Sequence, residues 1–161
     1  MKAKKVLVEM VKALVGIGAG IGIGIKCFGK KEDSSDNKHY YYFQVLNTWL
    51  ELRNKNHNLK EYFINNNYKT IAIYGGGNLG IRLWEELQGT EVEIKYVIDN
   101  SVCILEEMID IYSLEDELEK VDVVVVTPIH AYESIKNSLT EKMDCEIVSL
   151  ADVVSEIVKE K

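Results

Sequence analysis

Thr70-Ile71-Ala72-Ile73-Tyr74 runs directly into Gly75-Gly76-Gly77-Asn78-Leu79-Gly80, and few folds accept such a junction. A short apolar run rich in β-formers reads as a buried strand. Glycines at G-x-G-x-x-G spacing read as a tight turn that opens a helix. That turn leaves backbone N–H groups and the positive end of a helix dipole facing outward, where a phosphate can sit. Nucleotide binding is therefore the leading expectation for Gly75, Gly76, Gly77, Asn78, Leu79 and Gly80.

The chain continues in the same alternating manner. After the helix expected over Asn78–Gln88, with Leu79, Leu83 and Leu87 on one face, comes a second strand, Val92–Ile98, closing at Asp99. A weaker strand around Met108–Tyr112 precedes Ser113, whose spacing to Asp116 suits a capping box. Val121–Thr127 contains four consecutive valines, the pattern of a strand buried on both faces of a parallel sheet. A helix over His130–Lys142, a fifth strand over Glu146–Leu150 and a last helix over Ala151–Lys159 complete the series. Strands alternating with helices at this spacing predict an α/β fold, a doubly wound, mostly parallel five-stranded sheet.

Two helical stretches lead into this unit. Tyr42, Val45, Leu46, Trp49 and Leu50 recur at helical spacing through His39–Asn54. Asn58 is placed to cap a second short helix, Leu59–Asn66, with Tyr62 and Phe63 facing inward. The organisation expected is a hydrophobic segment at 1–28, a polar linker at 29–38, a helical lead-in at 39–68 and the α/β domain at 69–161.

Residues 6–28 form the strongly hydrophobic segment, bracketed by Lys2, Lys4, Lys5, Lys26, Lys30 and Lys31. Its uninterrupted part, Ala13–Ile25, is short of the roughly 20 residues of a membrane span, but extension back to Val6 reaches that length. Glu9 and Lys12 then fall inside it, three residues apart, and can pair on one helix face while Lys12 snorkels. A single-pass membrane anchor with the folded domain facing the cytoplasm is the reading adopted. A cleaved signal peptide, an interfacial segment and a strand-like arm are the alternatives. Lysines on both flanks leave orientation undecided by charge. Glycines at 16, 18, 20, 22 and 24 satisfy small-xxx-small spacing, so a homodimer through this segment is a further alternative.

Charge sharpens the choice of partners. The net charge is −7, but residues 1–38 hold eight Lys against four acidic residues, +4, and residues 39–161 carry −11. An acidic body argues against nucleic acid, whereas a basic, apolar beginning suits anionic lipid headgroups. Cys27, Cys103 and Cys145 are too few and too scattered for a disulfide framework or a zinc site, and the three histidines lack metal-ligand spacing. No metal is expected.

Asp99 lies at the end of the second strand, about where an acid binds ribose hydroxyls and repels a 2′-phosphate. NAD or a nucleotide-sugar therefore fits better than NADP. Ligands of such sheets bind beyond the carboxyl ends of the strands where strand order reverses. That places Thr127, Pro128 and His130 at the crevice, with His130 a candidate phosphate contact or general base. Tyr132 and Lys136 form a Tyr-x-x-x-Lys string like that of short-chain dehydrogenases. It falls too soon after the fourth strand for that family's catalytic helix.

The stretch Tyr62–Ile157 resembles compact Rossmann-like domains of bacterial surface-polysaccharide biosynthesis proteins. The residues that carry the likeness are Lys69–Gly80, Tyr96-Val97-Ile98-Asp99-Asn100 and Val123-Val124-Val125-Val126-Thr127-Pro128-Ile129-His130. Similar domains precede the acyltransferase part of sugar acyltransferases and lie between the membrane helices and catalytic domain of nucleotide-sugar dehydratases. The resemblance implies a nucleotide, NAD or nucleotide-sugar held by Gly75, Gly77, Gly80 and Asp99, with Asn100 beside it. No acyltransferase repeats follow the α/β unit, so a membrane-tethered binding module of polysaccharide assembly is expected. The alternatives are a small NAD-dependent oxidoreductase or sugar-nucleotide-modifying enzyme using His130 or Tyr132, and a scaffold that binds no ligand.

Overall fold

The computed structural model describes residues 35–101 and 104–159. The apolar segment 6–28, expected as a membrane anchor, lies outside them, as do Cys27 and Cys103. The chain divides into two units, Met1–Asn37 and Lys38–Lys161, and the second contains the α/β domain. Among the described residues no helix is long and apolar enough to cross a membrane.

Five parallel strands form one sheet in the order β3-β2-β1-β4-β5. They are β1 Thr70–Tyr74, β2 Glu93–Ile98, β3 Ile111–Tyr112, β4 Val123–Val126 and β5 Glu146–Ser149. β1 is central, paired in parallel with β2 on one side and β4 on the other. The chain winds outward from β1 to β3, then returns to β4 and continues to β5. Strand order therefore reverses between β1 and β4, as expected of a doubly wound sheet.

Helices cover both sides of the sheet. α3, Asn78–Leu87, follows β1 and lies against the face carrying Ile73, while α4, Tyr132–Thr140, joins β4 to β5. On the α4 side, Ala72, Tyr96, Ile98, Val124, Val126, Leu139 and Ile147 form one core cluster. Side chains alternate along a strand, so Ile71, Ile73, Val123 and Val125 point to the opposite side. All four are fully buried, which is why β1 and β4 read as continuous apolar runs.

The lead-in helices, α1 Ser35–Asn54 and α2 Lys60–Asn65, join the α3 side, and α2 packs on the last helix, α5 Leu150–Lys159. Asn58 caps α2 as expected: its Oδ1 accepts the Lys60 N–H at 2.9 Å. Glu61 Oε1 returns the bond to the Asn58 N–H at 3.0 Å, completing a capping box. α1 and α2 are tied to α3 through Glu86. Its carboxylate accepts Trp49 Nε1–H at 2.5 Å and the Leu59 N–H at 2.6 Å.

Two local expectations change. Asp116 Oδ2 accepts the Ser113 N–H at 2.7 Å, while Ser113 Oγ accepts the Glu115 N–H at 3.2 Å rather than that of Asp116. The chain makes only a turn there, with Leu114 and Leu118 packed on the core cluster. The helix expected from His130 begins instead with a 3₁₀ turn, Ile129–Ala131, before α4 starts at Tyr132. The Ala131 N–H bonds the Pro128 carbonyl three residues back at 2.9 Å, which closes that turn.

Candidate functional site

The three glycines of the G-x-G-x-x-G string have three different physical reasons to be glycine. Gly75 holds φ +98°, and a Cβ there would stand 2.6 Å from Thr127 Oγ1 and 2.8 Å from Pro128 Cδ. Gly80 faces Gly75 across the turn, and a Cβ on it would penetrate the Gly75 carbonyl oxygen. That close approach seats the first turn of α3 on β1. Gly77, at φ −70° and ψ −168°, is strained by nothing and has open space where its Cβ would be. A tight turn, close helix–strand packing and an unobstructed backbone are the three roles that this spacing serves in dinucleotide sites.

The opening beside Gly77 is lined by backbone donors. Gly75 N–H is taken by the Ile98 carbonyl at 2.8 Å, and Gly76 N–H by Asp99 Oδ2 at 2.6 Å. Among the described residues, no protein acceptor meets the N–H groups of Gly77, Asn78 and Leu79. They point from the start of a ten-residue helix, whose dipole adds positive potential at the same place. Leu79 is anchored by its buried side chain, and Gly77 and Asn78 are exposed.

Asp99 comes to the site with both oxygens already in use: Oδ2 holds Gly76, and Oδ1 accepts the Ser101 N–H at 2.8 Å. Each carboxylate oxygen has a further lone pair, so a ribose diol can still be received. On its far side opens a cleft of about 380 Å³ lined by Asp99, Asn100, Ser101, Asp110, Tyr112 and Ser113 among others. Among the described residues, no Lys or Arg lines this cleft.

Thr127 and Pro128 meet the glycine turn as the topology requires, but they close it. Thr127 is buried, its N–H bonds the Tyr74 carbonyl at 3.0 Å, and its hydroxyl donates to the Gly75 carbonyl at 2.9 Å. Their part is to hold the turn against the end of β4.

His130 is exposed in the 3₁₀ turn, where its Nδ1 shares a hydrogen bond of 2.7 Å with the Tyr42 hydroxyl of α1. Desolvation, and after it the Lys38 charge, hold its pKa below the ordinary 6.5. The bond to Tyr42 occupies Nδ1 and leaves Nε2 as the ring nitrogen that can face a ligand.

Tyr132 and Lys136 are neighbours, Nζ lying 5.5 Å from the ring centroid, and the lysine's pull on the tyrosine pKa is outweighed by burial. The Tyr132 hydroxyl donates to the Ile147 carbonyl at 2.8 Å, and burial raises its pKa above 10.0. A catalytic tyrosine needs the opposite shift. Among the described residues, no group of three or more His, Cys, Asp or Glu converges as metal ligands do.

The sequence pattern missed Asp110, Tyr112 and Ser113 as cleft residues, and Glu86 as the polar tie between layers. The first three reach Asp99 only because the short edge strand β3 pairs with β2, with Asp99 N–H bonded to the Tyr112 carbonyl at 2.9 Å. No periodicity announces a two-residue strand. Glu86 sits where a solvated helix face is the ordinary reading.

The described part of the chain is thus an α/β domain with a five-stranded parallel sheet, helices on both sides and a glycine turn at the end of its central strand. No known protein family, curated protein or solved structure matches the chain.

Proposed function

We propose that this domain binds a nucleotide-type ligand with a bridging pyrophosphate, NAD or a nucleotide-sugar, in a membrane-anchored chain that serves cell-surface polysaccharide assembly. The observation that carries the binding reading is the division of labour among Gly75, Gly77 and Gly80. Gly75 and Gly80 are glycines because the turn is closed around them, whereas Gly77 is one where nothing in the protein needs it. A phosphate approaching the open N–H groups of Gly77, Asn78 and Leu79 gives that third glycine its reason.

The chemistry of the surroundings narrows the ligand. Asp99 and Asp110 line the cleft with no Lys or Arg beside them among the described residues, so each added negative charge on the ligand is costly. A pyrophosphate diester suits such a site better than a terminal phosphate, and a 2′-phosphate worse still. The Tyr132 hydroxyl, bonded to the Ile147 carbonyl, favours a binding module over an enzyme. The anchor and the polysaccharide connection rest on the apolar run 6–28 and on the resemblance of Tyr62–Ile157.

Thermal unfolding in the presence of NAD, UDP-sugars, ADP and NADP tests the binding reading. NAD or a UDP-sugar at 100 times its Kd stabilises a one-site protein by about 2.7 kcal/mol, which is a readily measured rise in Tm. No shift with any of the four would leave the scaffold alternative standing. Fractionation of full-length protein against a chain starting at Asp33 tests the anchor, and recovery of the full-length product in the soluble fraction refutes it.

A further inference from the structure

Helix α1 carries two apolar faces. Val45, Trp49 and Leu52 are buried against the domain, whereas Phe43, Leu46 and Leu50 stand 63%, 43% and 59% exposed. Spacings of three and then four residues put these last three in one stripe, and a stripe facing only water is ordinarily polar. Beside it, between α1 and α3, runs an open groove of about 310 Å³. Leu46, Trp49 and Leu50 form its floor, and Arg53, Arg82, Glu85 and Glu86 its rim. An apolar ridge flanking an apolar groove on the same surface meets the geometric need of helix-on-helix packing. It also forms a contiguous patch of the kind that marks an interface.

Charge selects the occupant. Residues 39–161 carry −11, so most of this surface repels another copy of itself. At the groove the charges cancel. Arg82 Nη1 lies 2.5 Å from Glu85 Oε2, and Arg53 Nη1 lies 3.8 Å from Glu86 Oε1. A neutral rim gives an anionic bilayer no net attraction. Two-fold pairing, by contrast, can set each arginine near a glutamate of the other copy and the apolar stripe against itself. We propose that α1 and α3 form a self-complementary surface through which two copies of this chain dimerise. The α1 helices run antiparallel, Leu46 lies nearest the two-fold axis, Phe43 of each copy rests in the groove of the other, and Leu50 packs beside the Phe43 that enters its groove. This pairing does not depend on the nucleotide reading.

Sedimentation of full-length protein in a mild non-ionic detergent tests it. The expected result is a concentration-dependent dimer whose Kd rises at least tenfold in Leu50→Arg. Because Leu50 is exposed, the variant keeps its far-UV circular dichroism and melting temperature. In a background with Cys27, Cys103 and Cys145 changed to Ser, Leu46→Cys forms a disulfide-linked dimer on mild oxidation, and Asn137→Cys on α4 does not. A monomer at every concentration overturns the proposal. So does a dimer unaffected by Leu50→Arg, which would shift the contact to another surface. A monomeric wild type whose binding to anionic vesicles is lost in Leu50→Arg would also overturn it, assigning the stripe to lipid.

Discussion

The Asp99 carboxylate takes the Gly76 N–H at 2.6 Å, so the end of β2 and the glycine turn after β1 form one hydrogen-bonded unit. The same carboxylate holds Ser101 at 2.8 Å. An acid placed by spacing as a ribose contact is thus also a brace for the site it borders. Removing it affects the turn and the ligand together. In Asp99→Ala both N–H groups lose their acceptor, and stability measured by urea denaturation should fall by about 1–3 kcal/mol. Any preference for NAD over NADP should narrow in the same variant, because the charge that repels a 2′-phosphate is gone. Undiminished stability would show that water replaces the carboxylate at no cost.

Gly77 and Gly80 separate binding from folding. A methyl group on Gly80 collides with the Gly75 carbonyl, which is backbone and cannot turn aside. Gly80→Ala should lose about 1–3 kcal/mol or more, as overpacked sites do. Gly77→Ala meets nothing within 4 Å and should cost about 1 kcal/mol or less, the ordinary loss at a helix cap. The methyl nevertheless occupies the phosphate approach, so calorimetry should show weakened NAD or UDP-sugar binding in a folded protein. Equal binding by Gly77→Ala and wild type would remove the phosphate from this turn.

Glu86 is the polar tie between the lead-in helices and α3. Replacement by Ala leaves the Trp49 indole N–H and the Leu59 N–H without their acceptor. Each is a part-buried donor to a carboxylate, and the pair should cost about 2–4 kcal/mol in denaturant unfolding. The Trp49 fluorescence maximum should shift red as α1 loosens. A variant with unchanged emission and midpoint would show that packing of Val45, Trp49 and Leu52 alone holds α1.

Asp122 fastens the start of β1 to β4. Its Oδ2 accepts the N–H groups of Lys69 and Thr70, both at 2.8 Å, and the Thr70 hydroxyl at 3.0 Å. The Thr70 bond first, and then that of Lys69, hold its pKa below 3.8. A carboxylate with a depressed folded pKa stabilises above its ordinary value and loses that contribution as pH falls through the folded one. The gap in Tm between wild type and Asp122→Ala should therefore be full at pH 7, shrink below about pH 3.8 and close at still lower pH. A gap independent of pH would mean that the ionised form is not what matters.

Tyr132→Phe separates structure from catalysis. The lost hydroxyl leaves the Ile147 carbonyl without that donor, a change of about 0.5–1.5 kcal/mol. Ligand affinity in the glycine turn should be unaltered. Any turnover discovered for this protein should survive the substitution, and turnover abolished in a folded variant would restore the tyrosine as a reacting group.

Sequence alone determined the α/β character, the five strands and the glycine turn. The reason is that each is a local matter: β-branched runs buried on both faces, amphipathic helices between them, and backbone angles that only glycine accepts. Asn58 capping α2 was legible on the same ground, as a bond closed within four residues. Tertiary structure decided what those parts do. Thr127 sits 52 residues from Gly75 in the chain, yet its hydroxyl bonds the turn; the spacing that put it near the site could not say that it braces the Gly75 carbonyl. Asp99 was legible as an acid at the right offset, but its double use depends on the meeting of two loops. Asp110, Tyr112 and Glu86 carried no signal at all, because their surroundings arise only when distant segments pack. The open space at Gly77 belongs to the same class. Its absent contact is a property of the folded surface, and that absence is what turns a glycine motif into a proposed binding site.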